Sequence, residues 1–265
     1  MPVTRDFHIV ENYRPERPVE APISEEDVAR FADDGYIHLP AALTEDQCKR
    51  LREATDSVAS KEGAKAGAGG FFLRHLMDKD EAFLELLNHP LFLPIARIML
   101  GPMVRVLPVT ARVAVPGEPN QSVEWHIHQR LVPRPLPPFF SQPVALDTLI
   151  YLDDVDEETG PLQVVPGSHR ITQEEIPNKS ADQPGQVTLM PKAGDAIMTH
   201  GNVWHRALPT TEKGRRRRLI IFPFGPAWVA LPTYGVRPKD GLLDKLAASA
   251  DPDMRELLGD CERIY

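Results

Sequence analysis

Apolar residues recur at helical spacing in the first hundred residues of the chain and in short β-rich runs after about residue 103. One helix is predicted to begin after Ser24, because this N-cap residue precedes acidic first-turn positions and then apolar residues three and four apart. Thr44 caps a second helix in the same way, and a third helical stretch covers roughly 80–100 with an interruption near Pro90. Residues 1–22 hold several prolines and charges without an apolar period, which predicts an irregular lead-in.

The second half of the chain alternates short runs of β-branched and apolar residues with proline and glycine turns. These runs are 104–106, 112–115, 148–152, 162–165 and 219–222. Helices followed by many short strands predict an α+β fold, in which the strands form a sandwich or barrel with a ligand site at its mouth. We expect one domain over 1–265: a mainly helical part at 23–102, a β-rich core at 103–225, and an extension at 226–265 that ends in a helix.

Composition narrows the class of protein and its partners. The chain has 265 residues and a net charge of -8 with scattered basic residues, so nothing points to nucleic acid as a partner. Cys48 and Cys261 lie far apart and form neither a disulfide framework nor a CxxC pair, which favours a reducing compartment. No apolar run has the length of a membrane span, and the N-terminus does not resemble a signal peptide. The sequence therefore predicts a cytoplasmic protein without a membrane partner.

Candidate metal ligands stand in the run 123–130, where His126 and His128 are two residues apart. On a strand, such residues project to the same face, so the two imidazoles would form half of a metal site. A third ligand must come from elsewhere, and the segment 194–205 offers His200 and His205. This spacing alone is a weak signal, and a structural role for these histidines stays open.

A run of four arginines at 215–218 precedes the predicted strand at 219–222. Alternation along a strand puts Arg216 and Arg218 on one face and Arg215 and Arg217 on the other. An inward-facing arginine can bind a carboxylate through two parallel hydrogen bonds. The alternative is a solvated face or a patch for an anionic partner, which we assign to Arg215 and Arg217.

Residues 152–169 include Asp153-Asp154 and end in Pro166-Gly167-Ser168-His169. This run closely resembles the core of the phytanoyl-CoA dioxygenase family of iron(II)- and 2-oxoglutarate-dependent oxygenases. Three other segments also look like that family, so the likeness covers roughly 28–225. They are Trp125-His126, the segment from Gly194-Asp195 to His205, and the opening run 31–37. The likeness implies a double-stranded β-helix (jelly-roll, cupin-like) core with N-terminal helices packed on one side. It also implies Fe(II), 2-oxoglutarate, dioxygen and a small-molecule substrate.

The resemblance also implies roles for individual residues. His126 would be the first metal ligand and His205 the distal one, whereas His200 and His169 match positions with structural roles. Arg216, eleven residues after His205, would bind the far carboxylate of 2-oxoglutarate, and Arg112 is the second residue predicted to bind the co-substrate.

Two residues depart from the family pattern. The family has His-x-Asp, whereas this chain has His128 at the second position and so lacks the negative charge of the aspartate. His128 could complete a three-histidine site, turn away from the metal, or mark a protein that has lost metal chemistry; Glu124 is a further candidate carboxylate on the same strand face. Ala207 stands where family members often have a hydroxyl that contacts the co-substrate, which weakens the case for 2-oxoglutarate itself.

The favoured hypothesis is a non-haem iron oxygenase that uses 2-oxoglutarate to hydroxylate or otherwise oxidise a small molecule, such as a secondary metabolite. His126, His128 and His205 would hold the metal and Arg216 the oxo acid. A three-histidine dioxygenase that does not use 2-oxoglutarate and a non-catalytic binding module are the alternatives. The rim of the substrate pocket is predicted to come from 60–78, 131–143 and the part after Phe224. The aromatic residues and arginines of these segments suit an apolar or aromatic substrate that carries a carboxylate or phosphate.

Overall fold

The computed structural model describes residues 1–7, 17–62, 71–118, 121–128, 145–171, 175–229 and 240–259. The strands are β1 (Val3–Phe7), β2 (Arg17–Ala21), β3 (Tyr36–Leu39), β4 (Phe71–Leu73), β5 (Val104–Val106), β6 (Thr110–Ala114), β7 (Val123–His126), β8 (Leu146–Tyr151), β9 (Leu162–Val165), β10 (Val187–Leu189), β11 (Ala196–His200), β12 (Trp204–Ala207) and β13 (Arg217–Pro226). The α-helices are α1 (Glu25–Asp34), α2 (Glu45–Lys61), α3 (Phe92–Leu100), α4 (Leu242–Ser249) and α5 (Pro252–Leu257). Short 3₁₀ turns cover Leu76–Asp78, Glu81–Leu86 and Ser168–Arg170.

Two antiparallel sheets face each other, and most of their strands lie after residue 103. The larger sheet has the order β3-β11-β8-β13-β6-β4, with β5 paired to the far end of β13, and the smaller sheet has the order β10-β9-β12-β7. Apolar side chains from both sheets, among them Leu149, Ile197 and Leu219 from the larger and Leu162 and Val164 from the smaller, form one buried cluster between them. The predicted jelly-roll core is confirmed.

The outer face of the larger sheet packs against the helices. Residues that alternate with the inward-facing ones, such as Ile150, Met198 and Phe222, belong to a second buried cluster together with Phe31 of α1 and Leu51 of α2. The period of two along each strand thus separates the sheet into a helix-covered face and a face that looks into the jelly roll.

Both N-terminal helices begin where the sequence predicts. Ser24 and Asp27 form a capping box at α1, and Thr44 and Gln47 form one at α2, so in each helix the N–H of the N-cap and the N–H three residues later have a side-chain acceptor. The third predicted helical stretch is a 3₁₀ turn followed by α3, with the break near Pro90 as expected.

Two terminal segments test the predicted boundaries. The prediction of an irregular lead-in is wrong for β1 and β2, which pair antiparallel with Val3 opposite Ala21, both buried. Each strand buries few apolar side chains, which is too little for a periodic pattern to be visible in the sequence. The predicted C-terminal helix corresponds to α5, which buries Leu257, while residues 260–265 lie outside the described part of the chain.

None of the helices in the described ranges combines the length and apolar character that crossing a bilayer would require. Cys48 of α2 is buried and unbridged, and burial raises the pKa of its thiol, so it packs as a small apolar side chain. Cys261 lies beyond the described residues.

Candidate metal centre

Three imidazoles meet on the inner face of the smaller sheet. His126, at the end of β7, pairs across the ladder with His205 of β12, which in turn pairs with Val164 of the interior cluster. Paired residues share a face, so both histidine rings look toward the larger sheet. His128 lies two residues beyond the end of β7, and one ligand nitrogen from each histidine falls within 4.8 Å of the other two. The predicted convergence of these three residues is present in the structure.

The main chain holds His128 at the edge of the larger sheet. Its N–H donates to the carbonyl of Gly201 at 2.8 Å, and the N–H of Gly201 donates to the carbonyl of Ala145 at 2.9 Å. Ala145 immediately precedes β8, so this pair of hydrogen bonds brings His128 beside the first residues of that strand. The Nδ1 atom of His128 is consequently 2.7 Å from Oδ2 of Asp147.

Hydrogen bonds determine which ring nitrogens carry protons. Nδ1 of His126 lies 2.8 Å from the carbonyl oxygen of Glu124, and Nδ1 of His205 lies 3.0 Å from that of Val203. A carbonyl oxygen only accepts, so each Nδ1 is the donor and each Nε2 keeps its lone pair. The carboxylate of Asp147 lies 2.7 Å from Nδ1 of His128 without an aligned hydrogen bond, so it does not fix the tautomer of that ring. Nε2 of His126 and Nε2 of His205 are therefore available as ligands, and Nε2 of His128 becomes available once its proton leaves or moves to Nδ1.

The distance between two of these nitrogens fits a shared cation. Nε2 of His128 and Nε2 of His205 are 3.2 Å apart. In the absence of a metal, an N–H of the His128 ring can donate to the lone pair of His205 across this distance, and a cation that binds both nitrogens would take the place of that proton. Metal–imidazole bonds of about 2.1 Å at angles between about 90° and 110° separate two ligand nitrogens by about 3.0–3.4 Å. The donor set is thus suited to a first-row divalent metal, and imidazole is a ligand that iron accepts.

Arg216 does not face the histidines. It precedes β13, and its Nη2 atom is 3.5 Å from Oδ1 of Asp56 on α2, the carboxylate that also binds Arg218 at 2.9 Å. Both arginines therefore lie on the helix-covered side, and the predicted inward orientation of Arg216 is wrong. The cause is the register of β13, which pairs Leu219 with Tyr151 and so turns every second residue from 217 onwards into the jelly roll.

Arg217 is the arginine that enters the interior, with an exposed fraction of only 1%. Its Nε and Nη2 atoms have no hydrogen-bond partner among the described residues. Burial lowers the pKa of its guanidinium, and the hydroxyl of Tyr151 nearby only partly opposes that effect. A buried cation with unused donors is costly unless an anion joins it, which makes Arg217 a candidate ligand for a carboxylate.

Arg112 lies next to Arg217 on the same face. The ladder pairs Arg112 with Leu219 and Ala114 with Arg217, so the two arginines are diagonal neighbours. Arg112 donates to the carbonyl of Gln121 at 2.6 Å, and burial together with the nearby Arg217 charge lowers its pKa to about 10. Burial raises the pKa of Tyr151 to about 12, so its hydroxyl stays neutral. The interior therefore holds two adjacent cations and a neutral hydroxyl, an arrangement that attracts an anion.

Other candidates lie away from the three imidazoles. His200 is on the helix-covered face, where its ring centroid is 4.9 Å from that of His169 and 6.4 Å from that of Phe31. Burial, and secondarily His169, lowers the pKa of His200 to about 3, so the ring is neutral. Glu124 is exposed and accepts a hydrogen bond from the Ser180 hydroxyl.

Only part of the predicted substrate rim belongs to the described chain. The loop 131–143 and the residues Tyr234, Arg134 and Arg237 lie outside the described ranges. Trp228 has an exposed fraction of 68%. Phe72 of β4 pairs with Arg112, so this half-exposed ring stands on the inner face at the open edge of the larger sheet, with the guanidinium of Arg74 5.4 Å from its centre.

Comparisons with known proteins agree with this geometry. A family model described as phytanoyl-CoA dioxygenase matches residues 31–218. L-proline trans-4-hydroxylase from Streptomyces griseoviridis is 25% identical over 236 residues, which cover 77% of this chain and 87% of that protein. The 2-oxoglutarate-dependent carbocyclase SnoK from nogalamycin biosynthesis has the same fold, with a TM-score of 0.64, 24% identity, and coverage of 85% of this chain and 91% of that one. HygX from Streptomyces hygroscopicus, solved with nickel and 2-oxoglutarate bound, has a TM-score of 0.64 and 16% identity, covering 84% of this chain and 98% of the other.

Proposed function

The chain belongs to the phytanoyl-CoA dioxygenase family of iron(II)- and 2-oxoglutarate-dependent oxygenases, and on that basis we propose how its own residues carry out the reaction. His126, His128 and His205 bind the iron through their Nε2 atoms. Arg217, with Arg112 beside it, binds the far carboxylate of 2-oxoglutarate. The substrate is a small molecule that is oxidised at the mouth of the jelly roll.

The observation that carries the proposal is the convergence of one nitrogen from each of three imidazoles, with Nε2 of His128 and Nε2 of His205 3.2 Å apart and His126 alongside. In His126 and His205, main-chain carbonyls accept from Nδ1, so the Nε2 atom of each ring keeps its lone pair. Such preorganisation is typical of metal-binding histidines, whose second ring nitrogen bonds to a carbonyl or carboxylate.

Iron bound here would couple the oxidative decarboxylation of 2-oxoglutarate to succinate with the oxidation of a substrate C–H bond. The chain orients the reactants and excludes water. Arg217 supplies two parallel N–H donors to the distal carboxylate, and Tyr151 provides a neutral hydroxyl in the same interior. Leu149, Leu219 and Val164 form the apolar surroundings, which strengthen these charge interactions by keeping water away.

The substrate class follows from the relatives and from the rim. The relatives described above include a hydroxylase of L-proline and an enzyme of nogalamycin biosynthesis, which favours a small secondary metabolite or amino-acid-like substrate here. The half-exposed ring of Phe72 and the adjacent cation of Arg74 favour a substrate with an apolar or aromatic body and an acidic group.

A succinate-release assay tests the proposed function. Protein loaded with Fe(II) is supplied with 2-oxoglutarate and air, alone and with a panel of aromatic and amino-acid carboxylates, and succinate is quantified. We expect iron-dependent succinate that rises with at least one substrate, is lost in His205→Ala, and persists in the control His200→Asn, whose ring lies on the other sheet face. Iron-dependent oxygen uptake without succinate would instead favour a three-histidine dioxygenase that needs no oxo acid, and the absence of iron binding would favour a binding module.

A further inference from the structure

We propose that Asp147 is a positioning residue for the metal centre: from behind His128, it supplies the negative charge that an aspartate at position 128 would have placed on the metal itself. This inference rests on the proposed function only in taking the three histidines as the metal ligands. It concerns a residue on β8, a strand that contributes no ligand.

Asp147 is placed for this role by the sheet. It shares the inward-facing parity of Leu149 and Tyr151, and it is buried, with an exposed fraction of 4%. Its Oδ2 atom is 2.7 Å from Nδ1 of His128 but has no hydrogen-bond partner among the described residues, so the two atoms are close without being aligned. A small rotation of the His128 ring would turn this contact into a charge-assisted hydrogen bond.

The three histidines differ in what stands behind them. Nδ1 of His126 and Nδ1 of His205 each face a neutral main-chain carbonyl. His128, the residue at the position where the family pattern has aspartate, faces a carboxylate of the described part of the chain. The missing charge and the buried carboxylate therefore coincide at the same ligand.

Electrostatics explains why this matters for the metal. Three neutral imidazoles leave both positive charges of iron(II) uncompensated, whereas two imidazoles and a carboxylate offset one of them. A carboxylate hydrogen-bonded to the far nitrogen of a ligand imidazole makes that ring a stronger donor and fixes its orientation. Asp147 in turn acquires a partner for its buried charge, which is otherwise costly. Together, His128 would supply the bond to the metal and Asp147 the negative charge that a carboxylate ligand would otherwise supply.

A double-mutant cycle tests the inference with metal affinity as the readout. Anaerobic equilibrium dialysis against Fe(II), and against Co(II) as a spectroscopic probe, measures the dissociation constants of the wild type, Asp147→Asn, His128→Asp and the double variant. We expect Asp147→Asn alone to weaken metal binding about 10–100-fold, the usual cost of losing such an outer partner. In the His128→Asp background the same change should leave the affinity unchanged or strengthen it, because position 147 would then repel a carboxylate ligand.

A residue that only supports the fold would weaken metal binding equally in both backgrounds, and that result would overturn the inference. An unchanged affinity in Asp147→Asn alone would overturn it too. Urea unfolding of each apoprotein identifies a variant that fails to fold, and Asp147→Glu, which retains the charge, should recover part of the lost affinity. Because the cycle requires no turnover, a wild type that binds iron but releases no succinate would reject the proposed function and still decide the role of Asp147.

Discussion

The substitution Arg217→Met should change protein stability and co-substrate binding in opposite directions. In the apoprotein, the Arg217 guanidinium is 1% exposed and leaves Nε and Nη2 without partners among the described residues. Each of these two unsatisfied buried groups costs about 1–3 kcal/mol, so an apolar side chain of similar length should raise the free energy of unfolding by about 2–6 kcal/mol. Removing two charge-assisted hydrogen bonds of about 1.5 kcal/mol each should weaken 2-oxoglutarate binding by about 3 kcal/mol, or roughly 100-fold.

The matched control is Arg216→Met, one residue earlier. Arg216 has a side chain that is 39% exposed, a long ion pair with Asp56, and one buried N–H, at Nε, without a partner among the described residues, so its replacement by Met should raise the unfolding free energy by at most about half as much. Urea unfolding of the apoproteins gives the stabilities, and anaerobic dialysis of radiolabelled 2-oxoglutarate against the Fe(II)-loaded proteins gives the affinities.

Weaker 2-oxoglutarate binding in Arg216→Met but not in Arg217→Met would refute the assignment of Arg217, because the register of β13 would then be shifted by one residue. A loss of several kcal/mol in the stability of the Arg217→Met apoprotein would refute it too, since the guanidinium would then already have a partner.

Three further outcomes follow from the structure. Burial lowers the pKa of His200 from 6.5 to about 3, so the unfolded chain binds an extra proton below pH 6.5, and stability should fall by up to about 1.4 kcal/mol per pH unit between about pH 6 and 4. His200→Asn should flatten that dependence in urea unfolding measured across this range, and an equally steep dependence would contradict it. Asp195→Asn should lower stability by about 2–3 kcal/mol in the same assay, because its carboxylate accepts N–H groups of Ala41 and Lys192 at 2.9 Å and lies 2.9 Å from the ring of His38. Fe(II) affinity should be unchanged, because these partners belong to β3, the segment after it and the segment before β11, none of which contributes a metal ligand. Gly160→Ala, at φ 81°, would put a Cβ 2.5 Å from the Leu208 carbonyl and 2.9 Å from Nη1 of Arg217, so both stability and 2-oxoglutarate affinity should fall, as unfolding and dialysis can measure.

Local chemistry explains what could be predicted from the sequence. The capping boxes at Ser24 and Thr44 depend on residues three apart, and their helices begin where expected. His126 and His128 needed only the spacing of two and an independent third histidine to indicate one site, and the family motifs supplied His205.

The orientation of the arginine run could not be predicted, because it depends on a register that spans the sheet. Four consecutive arginines occupy both faces of any strand, so alternation predicts two pairs without saying which pair turns inward. The ladder between β13 and β8 decides this by placing Leu219 opposite Tyr151, and Arg217 follows inward. The family spacing of eleven residues after His205 gives a position in the sequence, but it does not show on which face of the sheet that residue lies.

The role of Asp147 at the metal centre could not be predicted from the sequence, because no motif contains this residue. A signal exists, since Asp147 is the lone charge in the strand LDTLIY, every residue of which is buried. A charged side chain in such a strand needs a partner, but only the structure shows that the partner is the ring of His128.

The most direct test of the account is an anaerobic titration of the protein with Fe(II) followed by 2-oxoglutarate, monitored by visible absorption. If His126, His128 and His205 bind iron and Arg217 holds the oxo acid so that it chelates the metal, a charge-transfer band should appear at one equivalent of each and be absent in His205→Ala. Stoichiometric iron binding without that band at saturating 2-oxoglutarate would contradict the assignment of the co-substrate site, and a wild type that binds no iron would contradict the metal centre itself.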